Sequence, residues 1–236
     1  MEKRLFITGN SSGLGRGLTE TYLGMGWQVY GVSRRGFGGT PPGLVDARCD
    51  LSDFEAVPRA LEKLLDGVVR LDLVILNAGV LGRIADLHDT SLEEIRSVME
   101  INVWSNKVII DWLIDAGIAV DQMILISSGA AVNGHRGWGA YSLSKATLNM
   151  LGQLYAHEMS DTHITSLAPG LVDTAMQDYL CEEVDAARFD SIQRLRSARN
   201  TPAMPKPDAA GRLIADIVPR LKDYPSGSFL DVRKLG

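Results

Sequence analysis

At 236 residues with a formal net charge of −5, the chain can bury one large core without dividing into domains, and its charge argues against nucleic acid or an anionic membrane surface as a partner. The two cysteines, Cys49 and Cys181, are isolated and neither has metal-ligand spacing, so no metal site is expected and a reducing cytoplasm is the simplest location. Met1-Glu2-Lys3-Arg4 leads into a run too short for a signal peptide, and no stretch approaches the ~20 apolar residues of a membrane span.

Leu5-Phe6-Ile7-Thr8 predicts a first strand, followed at once by Gly9-Asn10-Ser11-Ser12-Gly13-Leu14-Gly15 and then a helical pattern through Leu18, Tyr22, Leu23 and Met25. Such a glycine turn lets backbone approach a pyrophosphate closely, and the helix N-terminus offers the anion unpaired N–H groups. Its first two glycines are separated by three residues, a departure from the commoner G-x-G-x-x-G spacing. Asn10-Ser11-Ser12 has the form of a glycosylation acceptor, but its place inside this turn argues against that use.

Further apolar runs at Val29–Val32, Leu44–Val45, Leu71–Leu76, Met123–Ile126, Ile164–Leu167 and Phe229–Val232 predict six more strands. Helical patterns fill most of the intervals. Asp53 or Ser52 is placed to cap a helix through Leu61 and Leu65, Ser91 with Glu94 has the form of a capping box, and Pro207-Asp208 opens a last helix that ends before Pro219. Alternation of this kind predicts an α/β fold with a parallel sheet, and continuous apolar runs fit strands covered on both faces. We expect a single domain containing a doubly wound, seven-stranded parallel sheet of Rossmann type. In such a sheet ligands bind at the strand C-termini where strand order reverses. Gly9–Gly15, Ser33-Arg34, Asp50, Asn77-Ala78-Gly79, Ser128 and Pro169-Gly170 each follow a predicted strand.

Tyr141 and Lys145 share a helix face at i and i+4. A tyrosine hydroxyl, with a free pKa of about 10, is a weak acid, and a lysine ammonium nearby favours its ionised form. Lowering that pKa by about three units takes roughly 4 kcal/mol, so the charge needs help from a dry site, a cofactor's field, or both. Ser128 is placed to hydrogen-bond the same reacting oxygen. No histidine stands in relation to it as a Ser-His-Asp hydrolase would require, and His135 and His163 have no partners suggesting metal.

Thr8-Gly9-x-x-x-Gly13-x-Gly15, Asn77-Ala78-Gly79, Ser128, Tyr141-x-x-x-Lys145 and Pro169-Gly170 with Val172 and Thr174, in that order, resemble the single-domain short-chain dehydrogenase/reductase family over nearly the whole chain. The resemblance implies reversible hydride transfer between a nicotinamide and a carbonyl or alcohol carbon. Tyr141 would be the general acid/base, Ser128 would fix the oxygen, and Lys145 would also hold the nicotinamide ribose. Asn102, in Ile101-Asn102-Val103, matches the asparagine that anchors a relay water in similar enzymes; a buried structural asparagine would satisfy the same pattern. Similar enzymes place Asn77, Ala78 and Gly79 against adenosine, where an ordinary strand-ending turn is the alternative, Asp50 and Leu51 at the adenine edge, where Asp50 could equally cap a helix, and Val172 and Thr174 at the carboxamide.

For the cofactor, NAD binders of this fold carry an acidic residue after the second strand, whereas this chain has Ser33 followed by Arg34 and Arg35. A guanidinium fork suits a 2′-phosphate, so NADP is expected, with Arg34 as the main contact and Ser33 and Ser12 assisting. Two solvated loop arginines are the alternative. Trp138 is expected as an apolar wall, and a lid at about residues 173–206, carrying Met176, Tyr179, Leu180 and Phe189, suits a hydrophobic ketone, diketone or aldehyde. Ser33-Arg34 and the ending Ser226–Val232 look most like carbonyl reductases of the sepiapterin-reductase and benzil-reductase kind. A catalytically idle NADP-binding regulator is opposed by the intact Ser128, Tyr141 and Lys145. A nucleotide-sugar epimerase or dehydratase would need a larger C-terminal domain.

Leu143, Met150 and Leu154 form one apolar stripe on the helix of Tyr141, and Leu148, Tyr155 and Met159 a second, rotated from it. One stripe can face the core and the other a neighbour. Similar enzymes pair these helices about a two-fold axis, so a homodimer is expected, although the Asp-Gly-Gly ending of many tetrameric relatives is absent.

Overall fold

The structure is a computed structural model that describes residues 2–235. Seven parallel strands form the main sheet in the order β3-β2-β1-β5-β7-β8-β9: β1 Arg4–Thr8, β2 Gln28–Ser33, β3 Leu44–Arg48, β5 Leu73–Leu76, β7 Gln122–Ile126, β8 His163–Ala168 and β9 Ser228–Asp231. All seven predicted strands are found in it, although Leu71 of the run Leu71–Leu76 belongs to a separate short strand and Val232 of the run Phe229–Val232 to the 3₁₀ turn after β9. The sequence reading missed a second pairing, between β4 Arg70–Leu71 and β6 Ala119–Val120. Each of these short strands stands two residues ahead of a main-sheet strand. The chain runs outward from β1 through β2 to β3, then returns to β5 and runs outward the other way. The reversal therefore lies between β1 and β5.

Alternation along the inner strands sends side chains to two cores. Phe6, Val74, Leu76, Met123 and Leu125 pack on one face against α2 Ala56–Leu64, α4 Ser105–Asp115 and α5 Gly139–Glu158. Leu5, Ile7, Leu73, Ile75 and Ile124 pack on the other against α1 Gly13–Gly24 and α8 Pro207–Ile217. Each fully buried aliphatic side chain contributes roughly 1.5–3 kcal/mol. Coverage on both faces fails at one edge of the sheet: in β3 Val45 is 42% exposed, because no strand lies beyond it.

Helices α1 and α8 meet backbone to backbone. A Cβ on Gly17 would lie 2.0 Å from the Pro207 carbonyl oxygen, and one on Gly211 2.6 Å from the Gly17 carbonyl. Side chains at these positions would force the helices apart. Pro207 occupies the first turn of α8, and Pro219 lies in the 3₁₀ turn that follows it.

The capping box of α3 Leu92–Met99 is present, with Glu94 N–H donating to Ser91 Oγ at 3.1 Å and Ser91 N–H to Glu94 Oε2 at 2.8 Å. At α2, Asp53 rather than Ser52 takes the capping role, accepting from Ala56 N–H at 3.0 Å. On α5 the second stripe is core: Leu148 is fully buried and Tyr155 is 5% exposed. It is Leu143, Met150 and Leu154 that face outward. A third apolar cluster lies outside the sheet, where α6 Ala175–Glu182 and α7 Asp190–Ala198 enclose Leu180, Phe189, Ile192 and Leu195 over Leu81 and Ile84.

Candidate active site

A cleft of about 500 Å³ runs along the strand C-termini, across the reversal between β1 and β5. Thr8 ties the two strands together there. Its Oγ1 accepts from Asn77 N–H and Ala78 N–H, each at 3.0 Å, and its carbonyl accepts from Asn77 Nδ2 at 3.0 Å. The glycine turn packs directly on this junction. A Cβ on Gly9, which has φ of 72°, would meet Ala78 Cα at 2.9 Å, and one on Gly15 would lie 2.2 Å from the Gly9 carbonyl oxygen. Only a chain without Cβ atoms can close this cradle. The N-cap residue of α1, Ser12, makes no side-chain capping bond, so the first N–H groups of the helix are left for a ligand.

Of the glycine-turn residues expected at the cofactor, Gly9, Ser11, Ser12, Gly13, Leu14 and Gly15 line the cleft. Asn10 does not. Its side chain is enclosed and turned toward β3, where Nδ2 donates to Asp46 Oδ1 at 2.6 Å. Asp46 also accepts from Phe37 N–H at 2.8 Å, so Asn10 and Asp46 brace the segment after β2 rather than contact a ligand. Ser33, Arg34, Asp50, Leu51, Asn77, Ala78, Gly79, Pro169, Gly170, Val172 and Thr174 all line the cleft as expected. Two details differ. Arg35 lines it as well and donates to Ser12 Oγ at 2.7 Å, so both arginines stand at this corner. Asp50 accepts from Ser52 N–H and Oγ; the backbone bond chiefly, then the hydroxyl, holds its carboxyl below the usual range.

Ser128, Tyr141 and Lys145 all line the cleft. Ser128 follows β7 and its hydroxyl accepts from Ala130 N–H at 3.1 Å, which fixes the turn. Tyr141 lies in the first turn of α5. Lys145, 3% exposed, sits one turn later with Nζ 5.7 Å from the Tyr141 ring centroid, and donates to the Ile126 carbonyl at 2.7 Å. Burial pushes the Tyr141 phenol above its ordinary value, and a hydrogen bond with Ser128 works the other way. Burial draws Lys145 down to about 8. The dry site expected to help ionise the tyrosine therefore opposes charge on both groups.

Asn102 does not line the cleft. It sits in a π-helical turn, Glu100–Trp104, fully buried, with every side-chain group taken by protein. Oδ1 accepts from Val80 N–H at 2.8 Å, and Nδ2 donates to the Val80 carbonyl at 2.8 Å and to Ser144 Oγ at 2.9 Å. Ser144 in turn donates to the Tyr141 carbonyl at 2.8 Å. Asn102 thus clamps the turn after β5 to the helix that bears Tyr141 and Lys145. It reaches the site through those segments.

At the other end Trp138, Met176 and Leu180 line the cleft as expected, with Leu171, Leu195, Ile101, Val80 and Gln177 in addition. Tyr179 and Phe189 do not. Phe189 is packed in the apolar cluster of α6 and α7, the segment expected to form a lid, and Tyr179 accepts from Ile84 N–H at 3.3 Å. The Trp138 ring lies 6.0 Å from that of Tyr141, and its Nε1 donates to Ser191 at 2.8 Å. Outside the cleft, Asp86 pairs with Arg136 at 2.6 Å and with Arg188 at 2.8 Å, joining the segment before Tyr141 to the lid. These contacts link chain positions about 50 and 100 apart, which no local pattern reveals. Among the described residues no cluster of three potential metal ligands occurs, and no helix is long and apolar enough to cross a membrane.

A Cβ-free cradle, an uncapped helix N-terminus and a basic corner suit a nicotinamide dinucleotide, and the family comparison agrees. The short chain dehydrogenase model matches residues 3–185. A Bacillus subtilis benzil reductase ((S)-benzoin forming) is 30% identical over 222 residues, covering 89% of this chain and 90% of the relative. Sepiapterin reductase of Meriones unguiculatus is 33% identical over 175 residues, 68% of this chain and 66% of its own. The crystal structure of a short-chain dehydrogenase/reductase from Saccharomyces cerevisiae has the same fold, with a TM-score of 0.85 at 20% identity over 98% of this chain and 96% of that one. With the fold, the cleft and the family match in agreement, the chain belongs to the short-chain dehydrogenase/reductase family and is an oxidoreductase of the NAD(P)-binding kind.

Proposed function

We propose that this protein is an NADPH-dependent carbonyl reductase acting on hydrophobic ketones, diketones or aldehydes. The observation that carries the reading is the convergence of Ser128, Tyr141 and the buried Lys145 at the point where a basic, glycine-lined end of the cleft meets an apolar end. NADPH, when bound, supplies the hydride that the carbonyl carbon receives. Tyr141 gives its hydroxyl proton to the carbonyl oxygen, so that carbon and oxygen together gain two electrons and two hydrogens and the product is an alcohol. Ser128 hydrogen-bonds the same oxygen and fixes its approach. Lys145, one helical turn away, supplies the positive charge that stabilises the phenolate left behind, offsetting what burial costs it. Asn102 keeps the geometry by clamping the helix.

Ser12, Ser33, Arg34 and Arg35 line the end of the cleft expected to receive adenosine, and two guanidinium groups with no carboxylate after β2 favour a 2′-phosphate. Val172 and Thr174, at the base of the lid, would hold the carboxamide, and Asp50, Leu51, Asn77, Ala78 and Gly79 the adenosine. Met176, Leu180, Leu195 and Trp138 make the other end apolar, which suits an aryl or alkyl ketone, and the resemblance to a benzil reductase supports a diketone. We place the enzyme in the cytoplasm as a homodimer, with the exposed stripe of α5 at the subunit contact.

Steady-state oxidation of NADPH and NADH with a panel of ketones, 1,2-diketones and aldehydes tests the proposal. Turnover of an apolar carbonyl with preference for NADPH is expected. NADPH binding without turnover of any carbonyl would replace this reading with the idle regulator.

A further inference from the structure

Acidic side chains are almost never buried unless they are paired, and Asp173 is both. It is 9% exposed and stands between Val172 and Thr174, at the start of the segment 173–206 expected to form a lid. Three contacts from the far end of that segment converge on it. Its N–H donates to the Pro205 carbonyl at 2.9 Å, Lys206 Nζ lies 2.5 Å from Oδ2, and Arg199 Nε lies 3.6 Å from Oδ1. Arg199 also pairs with Asp178 and, at 2.9 Å, with Glu182. One guanidinium at the end of α7 therefore reaches both α6 and the chain ahead of it.

The two ends of the segment are thereby tied to the part of the molecule that carries the glycine turn. Lys206 is the N-cap of α8, the helix that meets α1 backbone to backbone at Gly17. Thr174, next to Asp173, is seated on the first residue of α1, where a Cβ on Gly13 would lie 3.3 Å from Thr174 Cγ2. The helices between these ends pack on an apolar cluster of their own outside the sheet, so the position of Thr174 is set at the joint. Within the joint the partners are unequal. The Lys206 side chain is 70% exposed and that of Asp173 only 7%. An exposed cation contributes little to an ion pair, whereas changing a buried charge leaves its partners unpaired.

We propose, on the reading that Val172 and Thr174 hold the carboxamide, that Asp173 is a clasp joining the two ends of segment 173–206, a positioning residue that seats Thr174 on the glycine turn and so sets the affinity for the nicotinamide half of the cofactor. A ligand that binds only the seated arrangement has its apparent Kd divided by the seated fraction. Loosening the clasp therefore weakens whatever reaches Thr174 and spares what does not.

Calorimetric titration with NADPH and with 2′,5′-ADP, which ends at the adenosine side, reads that difference without turnover, and amide hydrogen exchange of the ligand-free protein reads the clasp itself. In Asp173→Asn, exchange across 173–206 should quicken while that of the main-sheet strands stays as in the wild type. If the seated fraction falls to about a tenth, NADPH Kd rises about tenfold while that of 2′,5′-ADP stays within about twofold. Lys206→Met should show the same selectivity with a smaller rise, and Lys206→Arg, which keeps the charge, should recover wild-type behaviour. Because the Lys206 side chain is exposed, its variants decide the matter if Asp173→Asn does not fold. Unchanged exchange across 173–206 would overturn the clasp. Faster exchange with both nucleotides unaffected, or with both weakened equally, would overturn the link to the nicotinamide half, and faster exchange throughout the sheet would show a general loss of stability in place of a clasp. If the wild type binds neither nucleotide, the cofactor reading fails while the exchange measurement still decides whether Asp173 joins the two ends.

Discussion

The glycine cradle and the lid face each other across one cleft and are built in different ways. In the cradle, Gly9, Gly15, Thr8 and Asn77 meet through close backbone approach and hydrogen bonds of 3.0 Å at the ends of two adjacent strands. In the lid, α6 and α7 enclose a small apolar cluster of their own, and exposed side chains tie that unit to its surroundings, with Asp86 holding Arg136 and Arg188. Backbone contact admits almost no substitution, whereas side-chain ion pairs tolerate loss and respond to salt. One side of the cleft is thus rigidly specified, and the other is freer to change.

The largest effect should come from the residue standing between the two sides. With Tyr141 as the proposed proton donor, Tyr141→Phe should lower kcat by about 10²–10⁴-fold, with NADPH affinity within a few-fold of wild type because the hydroxyl would act mainly in the transition state. Wild-type kcat in this variant would end the proposed chemistry. On the cradle side, Arg34→Ala and Arg35→Ala should each weaken NADPH relative to NADH, by roughly tenfold or more where a charge-assisted hydrogen bond is lost. Equal effects on the two nucleotides, measured by titration, would show that neither guanidinium reads the 2′-phosphate.

How much of each side could be read in advance follows from the same contrast. All seven main-sheet strands, the cradle glycines, Ser128, Tyr141 and Lys145 follow from patterns spanning a few residues, since a strand end, a turn and a helix start are neighbours in sequence. Asn10 lies in the same turn, but its side chain points to the opposite side, toward Asp46, which the turn pattern does not reveal. Asn102 is legible as the match to the family's asparagine and, by its polarity among apolar neighbours, as a buried structural residue, yet its contact with Ser144 spans 42 positions. The cleft positions of Leu195 and Gln177 had no local signal. Which residues of a short lid line a cavity and which fill the lid itself is settled by how two helices pack, as Tyr179 and Phe189 illustrate.

The Lys145 cation gives the cradle side a pH dependence. Burial lowers its pKa to about 8, against about 10.4 for a free lysine. Below pH 8 the group is charged in folded and unfolded chains alike. Between about 8 and 10 the unfolded chain keeps a proton that the folded one has lost, so ligand-free stability should rise with pH across that window. Cofactor affinity should move the other way. If the bound state needs the ammonium, NADPH Kd should increase above pH 8 by up to about tenfold per pH unit, and Lys145→Ala should bind more weakly and remove the slope. A flat Kd from pH 7 to 9.5 in the wild type would separate Lys145 from the cofactor.

On the lid side the effects should be smaller and should concern KM. Asp86→Asn releases Arg136 and Arg188 together, so KM for an apolar ketone should rise a few-fold while NADPH affinity is unchanged. The wild-type KM should also rise in 1 M NaCl, where the screening length falls to about 3 Å. Hydrogen bonds from Arg136 and then Arg188 hold the Asp86 carboxyl well below the usual carboxylate range. A depressed pKa of this kind keeps its contribution above the unfolded value of about 3.9 and loses it only as pH falls through the folded one. The lid should therefore show no pH response of its own between 6 and 9, and a KM that changed there without Lys145 taking part would contradict the latch.

The smallest effect on turnover should come from the outer face of α5, the helix that bears Tyr141 and Lys145. Leu143, Met150 and Leu154 are 47%, 54% and 53% exposed. Large apolar groups gathered on one helix face tend to be covered in the working form of a protein, and a two-fold axis would bury the stripe against its own copy. Leu154→Glu would place a carboxylate opposite its symmetry mate, so sedimentation equilibrium should show the dimer reduced to a 25.6 kDa species with kcat close to wild type. Leu148 cannot serve the same test, because it is fully buried in the subunit core and Leu148→Glu should unfold the chain instead. A wild-type chain that already sediments as a monomer at micromolar concentration would leave the exposed stripe without a subunit to cover it and would end the homodimer proposal.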